Sequence, residues 1–249
     1  MRQSEHIHKL PNAPLQEVIF EVLWDIDFDE VGAPQDSGYE LAVGVFANMI
    51  KNKYPHRQRT LPINAPLKIY PMPVHQFWVD KNTWPVVQIG PGILAINDTD
   101  QNYSWEGNFK NEIDFIIRCL KSSYNDNLKF IQLSLRYIDA VELPESKDVL
   151  AFVNENFHIH LSNNYVLEGI ISGLNINQFF TFQDSSKLNF VISEGVNAKN
   201  KKAVIWQTNF IKKDTEGIDD VLEWADYAHE ITSNHFKKSL KPHFYDSFK

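Results

Sequence analysis

The sequence predicts an α+β fold in which helices pack against antiparallel sheets. Three observations support it: segments in which hydrophobic residues alternate, segments in which they recur every three to four positions, and turn residues between β-prone runs. The chain has 249 residues, 43% of them hydrophobic, which is enough to bury a large core. We therefore expect a packed globular protein rather than a disordered one.

The first half begins with a strand and a helix. Hydrophobic residues alternate along residues 15–28, a period of two that is typical of a strand. Apolar residues then recur at helical spacing between Gly38 and Tyr54, which predicts a helix that stops near Pro55. The proline-rich stretch that follows leaves residues 74–79 as an edge strand.

A hairpin and a second helix complete this half. The β-prone runs 84–89 and 93–97 flank a Gly-Pro-Gly turn, which predicts a β-hairpin. A hydrophobic stripe along residues 106–122 predicts an amphipathic helix. Cys119, the one cysteine of the chain, lies in this helix, so we expect a buried and inert thiol.

The second half begins again with strand chemistry, at residues 130–141. A short helix is predicted at 148–156, and turn signals divide residues 157–211 into about four antiparallel strands. The last predicted helix covers residues 219–240, with Thr215 or Asp219 as its N-cap.

Both halves therefore have the same predicted order of strand, helix, several antiparallel strands and long helix. One interpretation is an ancient duplication, with residues 1–127 and 128–249 as two equivalent α+β halves. The alternative is chance similarity between two α+β halves. Since no low-complexity linker separates them, one continuous domain is also compatible with the sequence.

Composition limits the classes of partner and the compartment. The net charge of −8 opposes general binding to nucleic acid and to anionic membranes. The N-terminus lacks the apolar core of a signal peptide, and no apolar run approaches the roughly 20 residues of a spanning helix. A single cysteine suits a reducing compartment, so we predict a cytoplasmic protein without a membrane partner.

Motifs for metal, cofactor or nucleophile chemistry are incomplete. The segment HEITSNH, residues 229–235, has Ser233 where a second zinc-binding histidine would stand, so His229 is predicted to be a semi-buried structural histidine. The histidine pairs at 6 and 8 and at 158 and 160 lack a third ligand. Phosphate-binding loops and nucleophile elbows are missing from the sequence. We expect neither a metal nor a cofactor.

Two acidic runs, residues 25–30 and 98–100, keep an enzymatic alternative open. Such carboxylates bind Mg²⁺ in phosphoryl-transfer enzymes, but only if both runs meet in one cleft. Turn formation and solvation explain the same residues. Lysines around a predicted hairpin at 199–213 offer nucleic-acid contact as a third possibility, which the net charge opposes.

The best candidate for a binding region combines aromatic rings with amide and carboxylate groups, on and after the hairpin. Such combinations are typical of recognition surfaces, and core tryptophans with turn-forming Asn and Asp explain them equally well. The candidate residues are Trp84, Gln88, Asn97, Asp98, Tyr103 and Trp105.

Several segments resemble a sporadically distributed prokaryotic protein family of about this length. They are NAPLQEVIFE at 12–21, Gly38-Tyr39, WPVVQIGPGIL at 84–94, Asn97-Asp98-Thr99, Tyr103 with Trp105, and LRYID at 135–139. The second half matches mainly in its pattern and in its final helix. The family has no established activity, so the resemblance transfers no catalytic residue. It implies a stand-alone cytoplasmic protein, scattered among genomes as defence-associated genes are.

The resemblance also implies that the segment 84–105 and the strand 136–139 belong to one structural or binding centre, which adds Arg136 and Asp139 to the candidate binding residues. In an extended strand Tyr137 and Asp139 share a face and Arg136 takes the other. A buried Arg136 therefore needs a carboxylate from elsewhere, and we expect Asp98 to supply it.

An aromatic-rich chain without an intact catalytic motif favours a non-enzymatic interaction protein, a component or regulator of a defence or toxin-linked locus. It would work through a protein partner or self-association. The alternative is a metal-dependent nucleotide-binding sensor or a phosphoryl- or nucleotidyl-transfer enzyme. Exposed aromatic patches would favour the first, and acidic runs meeting in a cleft would favour the second.

Overall fold

A computed structural model describes residues 9–62, 70–81, 83–162, 168, 173–197, 200–213, 215 and 220–249. Its strands are β1 (Leu15–Trp24), β2 (Asp27–Phe28), β3 (Pro34–Gln35), β4 (His56–Arg59), β5 (His75–Trp78), β6 (Val86–Gly90), β7 (Ile93–Asp98), β8 (Phe130–Glu142), β9 (Asn175–Thr181), β10 (Lys187–Val196) and β11 (Lys202–Lys213). Its helices are α1 (Tyr39–Ile50), α2 (Lys110–Ser123), α3 (Val149–Asn156), α4 (Val221–Ser239) and α5 (Pro242–Asp246). A π-helical turn, Trp105–Phe109, leads into α2.

The described strands form one large antiparallel sheet and one small one. The large sheet has nine strands in the order β4-β5-β6-β7-β1-β8-β11-β10-β9, and β2 pairs with β3. With its packed helices the protein is α+β, as the sequence predicts. The sheet is continuous across the two halves, because β1 and β8 pair at its centre.

The two halves place their remaining strands of the large sheet on either side of that central pair. From β1 outward the sheet runs through β7, β6, β5 and β4, and from β8 outward it runs through β11, β10 and β9. In the first half α1 precedes these strands and α2 follows them, and in the second half α3 and α4 take those places. The duplication of the two halves stays a prediction.

The large sheet has two different faces, which the alternation along β1 defines. Val18, Phe20 and Val22 are fully buried and lie on what we call the helix face. There Phe46 of α1 packs on Phe77 with ring centroids 5.9 Å apart, and Trp224 of α4 packs on Phe210 at 6.0 Å. The opposite face, which we call the polar face, carries Glu17, Ile19, Glu21 and their strand neighbours.

The hairpin predicted around the Gly-Pro-Gly turn is confirmed as β6 and β7. Gly92 adopts φ +69°, a left-handed conformation that favours glycine. At Gly90 a Cβ would lie 1.9 Å from the carbonyl oxygen of Met72, so this position requires glycine for close packing.

Other details differ from the predictions. The predicted edge strand is β5, which lies inside the sheet, and the edge is β4, a short charged strand that the sequence pattern did not indicate. Such charges are typical of edge strands because they oppose pairing with other chains.

Asp220 caps α4, accepting hydrogen bonds from the backbone N–H groups of Leu222 and Glu223. Of the region predicted to hold about four strands, the described part contains three, β9 to β11; residues 163–167 and 169–172 lie outside it.

Candidate functional site

The structure divides the predicted binding residues between the two faces of the large sheet. Those that line or lie on the polar face are Trp84, Gln88, Asn97 and Arg136. Those on the helix face, or in the segment packed against it, are Asp98, Tyr103, Trp105 and Asp139. They therefore do not form one centre.

On the polar face, side-chain amides from neighbouring strands form a hydrogen-bonded row. Gln76 donates to Gln88 at 2.8 Å, Gln88 donates to Asn97 at 3.0 Å, and Asn97 donates to the Glu17 carboxylate at 2.7 Å. We call these four residues the amide row. Gln76 and Gln88 are directly paired, while the other two contacts join diagonal neighbours in the sheet, which long side chains can reach.

The amide row lines a cleft of about 280 Å³, which we call the tryptophan cleft. Trp78, Trp84, Thr83 and Val86 line it as well. Trp84 is 40% exposed, whereas Trp78 is only 7% exposed. Asn102 holds the backbone of Trp84 by donating to its carbonyl oxygen at 3.0 Å. The cleft thus combines flat apolar rings with amide and carboxylate groups.

The expected pair between Arg136 and Asp98 is wrong. Asp98 pairs with Val18 in the sheet and Arg136 pairs with the next residue, Ile19, so their side chains lie on opposite faces. Arg136 lies near Glu21 instead. Burial raises the pKa of Glu21, and the positive charge of Arg136 partly offsets that rise.

On the helix side, Tyr103, Tyr137 and His229 form a buried chain of hydrogen bonds. The hydroxyl oxygens of Tyr103 and Tyr137 are 2.8 Å apart, and the Tyr137 hydroxyl lies 2.8 Å from Nδ1 of His229. The Trp105 ring stacks on His229 at 4.3 Å, and its Nε1 donates to Asp226 at 3.0 Å.

Burial lowers the pKa of His229 to about 4. It is therefore a neutral histidine that connects α4 to the sheet, which agrees with the structural role predicted for it. Neutral hydroxyl and imidazole groups can satisfy one another here without a net charge. The sequence contains the aromatic residues of this cluster, but they come from three distant segments, so no local pattern predicts that they meet.

Two buried carboxyl groups lie on the same side of the sheet. Burial raises the pKa of Asp139 to about 8. Burial also raises the pKa of Asp98 to about 6, and burial is the largest of several influences on that pKa. Asp139 is 4% exposed and Asp98 is 2% exposed, so both carboxyl groups are almost completely buried. Asp98 also lines a small cleft beside Lys53 and Glu112.

The two acidic runs lie far apart. Asp98 pairs with Val18 near the start of β1, and Asp25 follows the end of that strand. Seven residues of strand separate the two positions, about 23 Å at 3.3 Å per residue. Within the described residues, no group of three His, Cys, Asp or Glu side chains could hold a metal ion. The histidine pair at 6 and 8 lies outside the described residues.

Three lysines of the β10–β11 hairpin have carboxylate partners, among them Lys212, whose Nζ lies 4.0 Å from Asp184. Lys201 pairs with Glu142 at 2.6 Å, and Lys202 pairs with Glu194 at 3.0 Å. Lys199 lies outside the described residues. These ion pairs reduce the positive charge that the hairpin can offer to phosphate groups. Cys119 is a free, buried cysteine, as expected.

Sequence reasoning did not identify the outer face of α1. Leu41 is 82% exposed, Val45 is 48% exposed and Met49 is 39% exposed, and their spacing of four places them along one stripe. We call these three residues the α1 stripe. The signal was present in the sequence, because YELAVGVFANMI is apolar at almost every position rather than along one side.

Comparison with family models, curated proteins and solved structures gave no match. The resemblance to a prokaryotic family therefore stays a prediction. No described helix has the length and hydrophobicity needed to cross a membrane.

Proposed function

We propose that the protein is a non-enzymatic interaction protein that associates with a second copy of itself through the α1 stripe. The supporting observation is that α1 is hydrophobic on both sides. It buries Phe46 and Ile50 in the core and exposes Leu41 at its outer side. A helix that is hydrophobic all round is normally buried. In the described part of the chain, nothing buries the α1 stripe.

A second copy of the chain suits this surface because the α1 stripe is self-complementary. If two α1 helices pack antiparallel about a two-fold axis, Leu41 faces Met49 of the second copy and Val45 faces its equivalent. At about 100° per residue, Glu40 and Lys51 both lie more than 90° around α1 from Val45, so neither charge has to be buried at this contact. Both residues are exposed. Gly44 adds no bulk, since a Cβ there would have nothing within 4 Å.

Residues that precede α1 in the chain can enlarge the contact. Among the residues that the structure describes, five of the eleven exposed large hydrophobic ones fall within residues 28–49, with Phe28 at 69% and Val31 at 82% exposed. One pair of twelve-residue helices is small for a stable interface, which buries about 1,200–2,000 Å² in total. We therefore expect Phe28 and Val31 to contribute and the affinity to be moderate.

Sedimentation equilibrium of the wild type and Val45→Glu tests the proposal. The wild type should form a concentration-dependent dimer, and Val45→Glu should be a monomer with an unchanged melting temperature, because two glutamates would meet at the two-fold axis. Val196→Glu is the matched control, since Val196 is 64% exposed on β10. A wild-type monomer at about 1 mM chain, or equal dimerisation of both variants, would contradict self-association through α1.

The enzymatic alternative has less support. It requires the two acidic runs to share a cleft, and Asp25 and Asp98 lie at opposite ends of β1. That the protein acts in a defence or toxin-linked locus is the part of the proposal that rests on the resemblance alone. A cytoplasmic location rests on the sequence alone.

A further inference from the structure

The tryptophan cleft is independent of the α1 stripe. It lies on the polar face of the sheet, whereas α1 packs on the helix face through Phe46 and Phe77. Its volume of about 280 Å³ equals that of roughly nine water molecules in the liquid. The part of a ligand that lies inside this cleft is therefore about the size of one small ring system.

Glu17 fixes the direction of every hydrogen bond in the amide row. An ionised carboxylate only accepts, so Asn97 must turn its NH₂ group toward Glu17. Asn97 then accepts from Gln88, and Gln88 accepts from Gln76. Within the row, each amide nitrogen keeps a second N–H, and the carbonyl oxygen of Gln76 accepts no bond from a row member. The row can therefore offer both donors and an acceptor in fixed positions.

An indole ring borders this row. Trp84 is 40% exposed, so part of its ring is accessible at the cleft. Aromatic side chains stack on the flat faces of bases, and Asn and Gln side chains hydrogen-bond to base edges. Glu17 is the one charged residue among the described lining residues, and no Lys or Arg accompanies it. Such a lining disfavours phosphate.

We propose that the tryptophan cleft binds a nucleobase, as a free base or an uncharged nucleoside. The ring stacks on Trp84, and the polar edge of the base meets the amide row. A nucleoside monophosphate binds more weakly than its nucleoside, because the phosphate finds no cation and approaches Glu17. Binding is nearly independent of salt, since no counterion release accompanies it.

Isothermal titration calorimetry on the whole protein tests this proposal with the four common ribonucleosides, their 5′-monophosphates and glucose. At least one nucleoside should saturate the protein, with its monophosphate binding at least about tenfold more weakly. Trp84→Ala should weaken nucleoside binding by about tenfold or more. Gln76→Met, which keeps the size of the side chain and removes its polar groups, should weaken it severalfold.

Phe179→Ala is the matched control. Phe179 is 67% exposed on the same face, but at the far edge of the sheet in β9. Phe179→Ala should bind the nucleoside like the wild type. The dimer variant Val45→Glu should do so as well, so failure of self-association and failure of this site are distinguishable. Should Trp84→Ala not fold, Gln76→Met carries the test. The proposal is overturned if no nucleoside saturates at about 5 mM, if monophosphates or glucose bind more tightly, or if the cleft variants bind normally.

Discussion

The Tyr137 hydroxyl lies 2.8 Å from Nδ1 of His229 and connects the centre of the sheet to α4. Tyr103 meets the same hydroxyl from the other side, so one oxygen joins three segments that are far apart in the chain. Burial lowers the pKa of His229 to about 4, which keeps its ring neutral at pH 7. The hydroxyl of Tyr137 therefore holds together a buried polar cluster that carries no net charge.

Removing that hydroxyl should destabilise the fold. In Tyr137→Phe, His229 Nδ1 keeps only a 3.4 Å contact with Ser233, and Tyr103 loses its partner. We expect a loss of about 1–3 kcal/mol in the free energy of unfolding. Tyr227→Phe, on the same helix and 40% exposed, should cost less than about 0.5 kcal/mol. Urea denaturation measures both, and equal effects would show that the cluster adds no stability.

Asp139 should make stability fall as the pH rises. Burial raises the pKa of this carboxyl to about 8, so between about pH 4 and pH 8 the folded state binds more protons than the unfolded state. The stabilisation is complete below the unfolded pKa and is lost as the pH rises through the folded pKa. Asp139→Asn removes this dependence on pH. The free energy of unfolding of Asp139→Asn should exceed that of the wild type by at least about 1 kcal/mol near pH 9, and the two values should differ little near pH 4.

The pH comparison must subtract the effect of buried histidines. Burial lowers the pKa values of His75, His229 and His235 to about 4, so their contribution is present above about pH 6.5 and is lost toward pH 4. This histidine contribution is the same in the wild type and in Asp139→Asn, so it cancels when their free energies of unfolding are subtracted. Glu145→Gln, in an exposed loop, is the control for loss of a carboxylate. A flat difference between the wild type and Asp139→Asn would contradict the raised pKa.

Two glycines should respond oppositely to alanine. At Gly90 a Cβ would lie 1.9 Å from the Met72 carbonyl oxygen, so Gly90→Ala should destabilise the sheet by about 1–3 kcal/mol. At Gly44, within α1, the same atom meets nothing within 4 Å, and Gly44→Ala should stabilise the protomer by up to about 1 kcal/mol. Thermal melts at low protein concentration measure both changes. A destabilising Gly44→Ala would mean that the outer side of α1 is already covered in the protomer.

The fold was predictable where one segment carries its own signal. Alternation predicted β1, and a Gly-Pro-Gly turn between β-prone runs predicted β6 and β7. The edge strand β4 was missed because its sequence, HRQR, has no hydrophobic alternation, and its conformation follows from pairing with β5. Hydrophobic periodicity indicates which side chains a segment buries. It does not predict a strand that forms only because it pairs with a neighbouring strand.

The candidate site was only partly predictable, because it depends on register between strands. Trp84, Gln88 and Asn97 were identified from one hairpin, but Glu17 and Gln76 reach the same cleft from strands elsewhere in the chain. A shift of one residue in the pairing of β1 would exchange the faces of the sheet. The predicted pair of Arg136 and Asp98 was wrong because the sequence did not show that register, and so did not show that the two side chains lie on opposite faces.

Charge reversal at the ends of α1 tests how two copies meet. In the antiparallel arrangement Glu40 and Lys51 point away from the second copy, so Glu40→Lys or Lys51→Glu alone should change the dimer constant by less than about threefold. The double variant should likewise associate like the wild type. Sedimentation equilibrium measures the dimer constants, and Val45→Glu is the variant that should lose the association.

The stability of the protomer should change although the association does not. Glu40 lies in the first turn of α1 and Lys51 follows its last turn, so each native charge interacts favourably with the helix dipole. The double variant should therefore melt at a lower temperature than either single variant, while its dimer constant stays close to that of the wild type. Helix destabilisation that reaches the contact would lower stability and association together. A dimer constant that changes about tenfold or more with either charge would require a different contact, because the antiparallel arrangement points both residues away from the second copy.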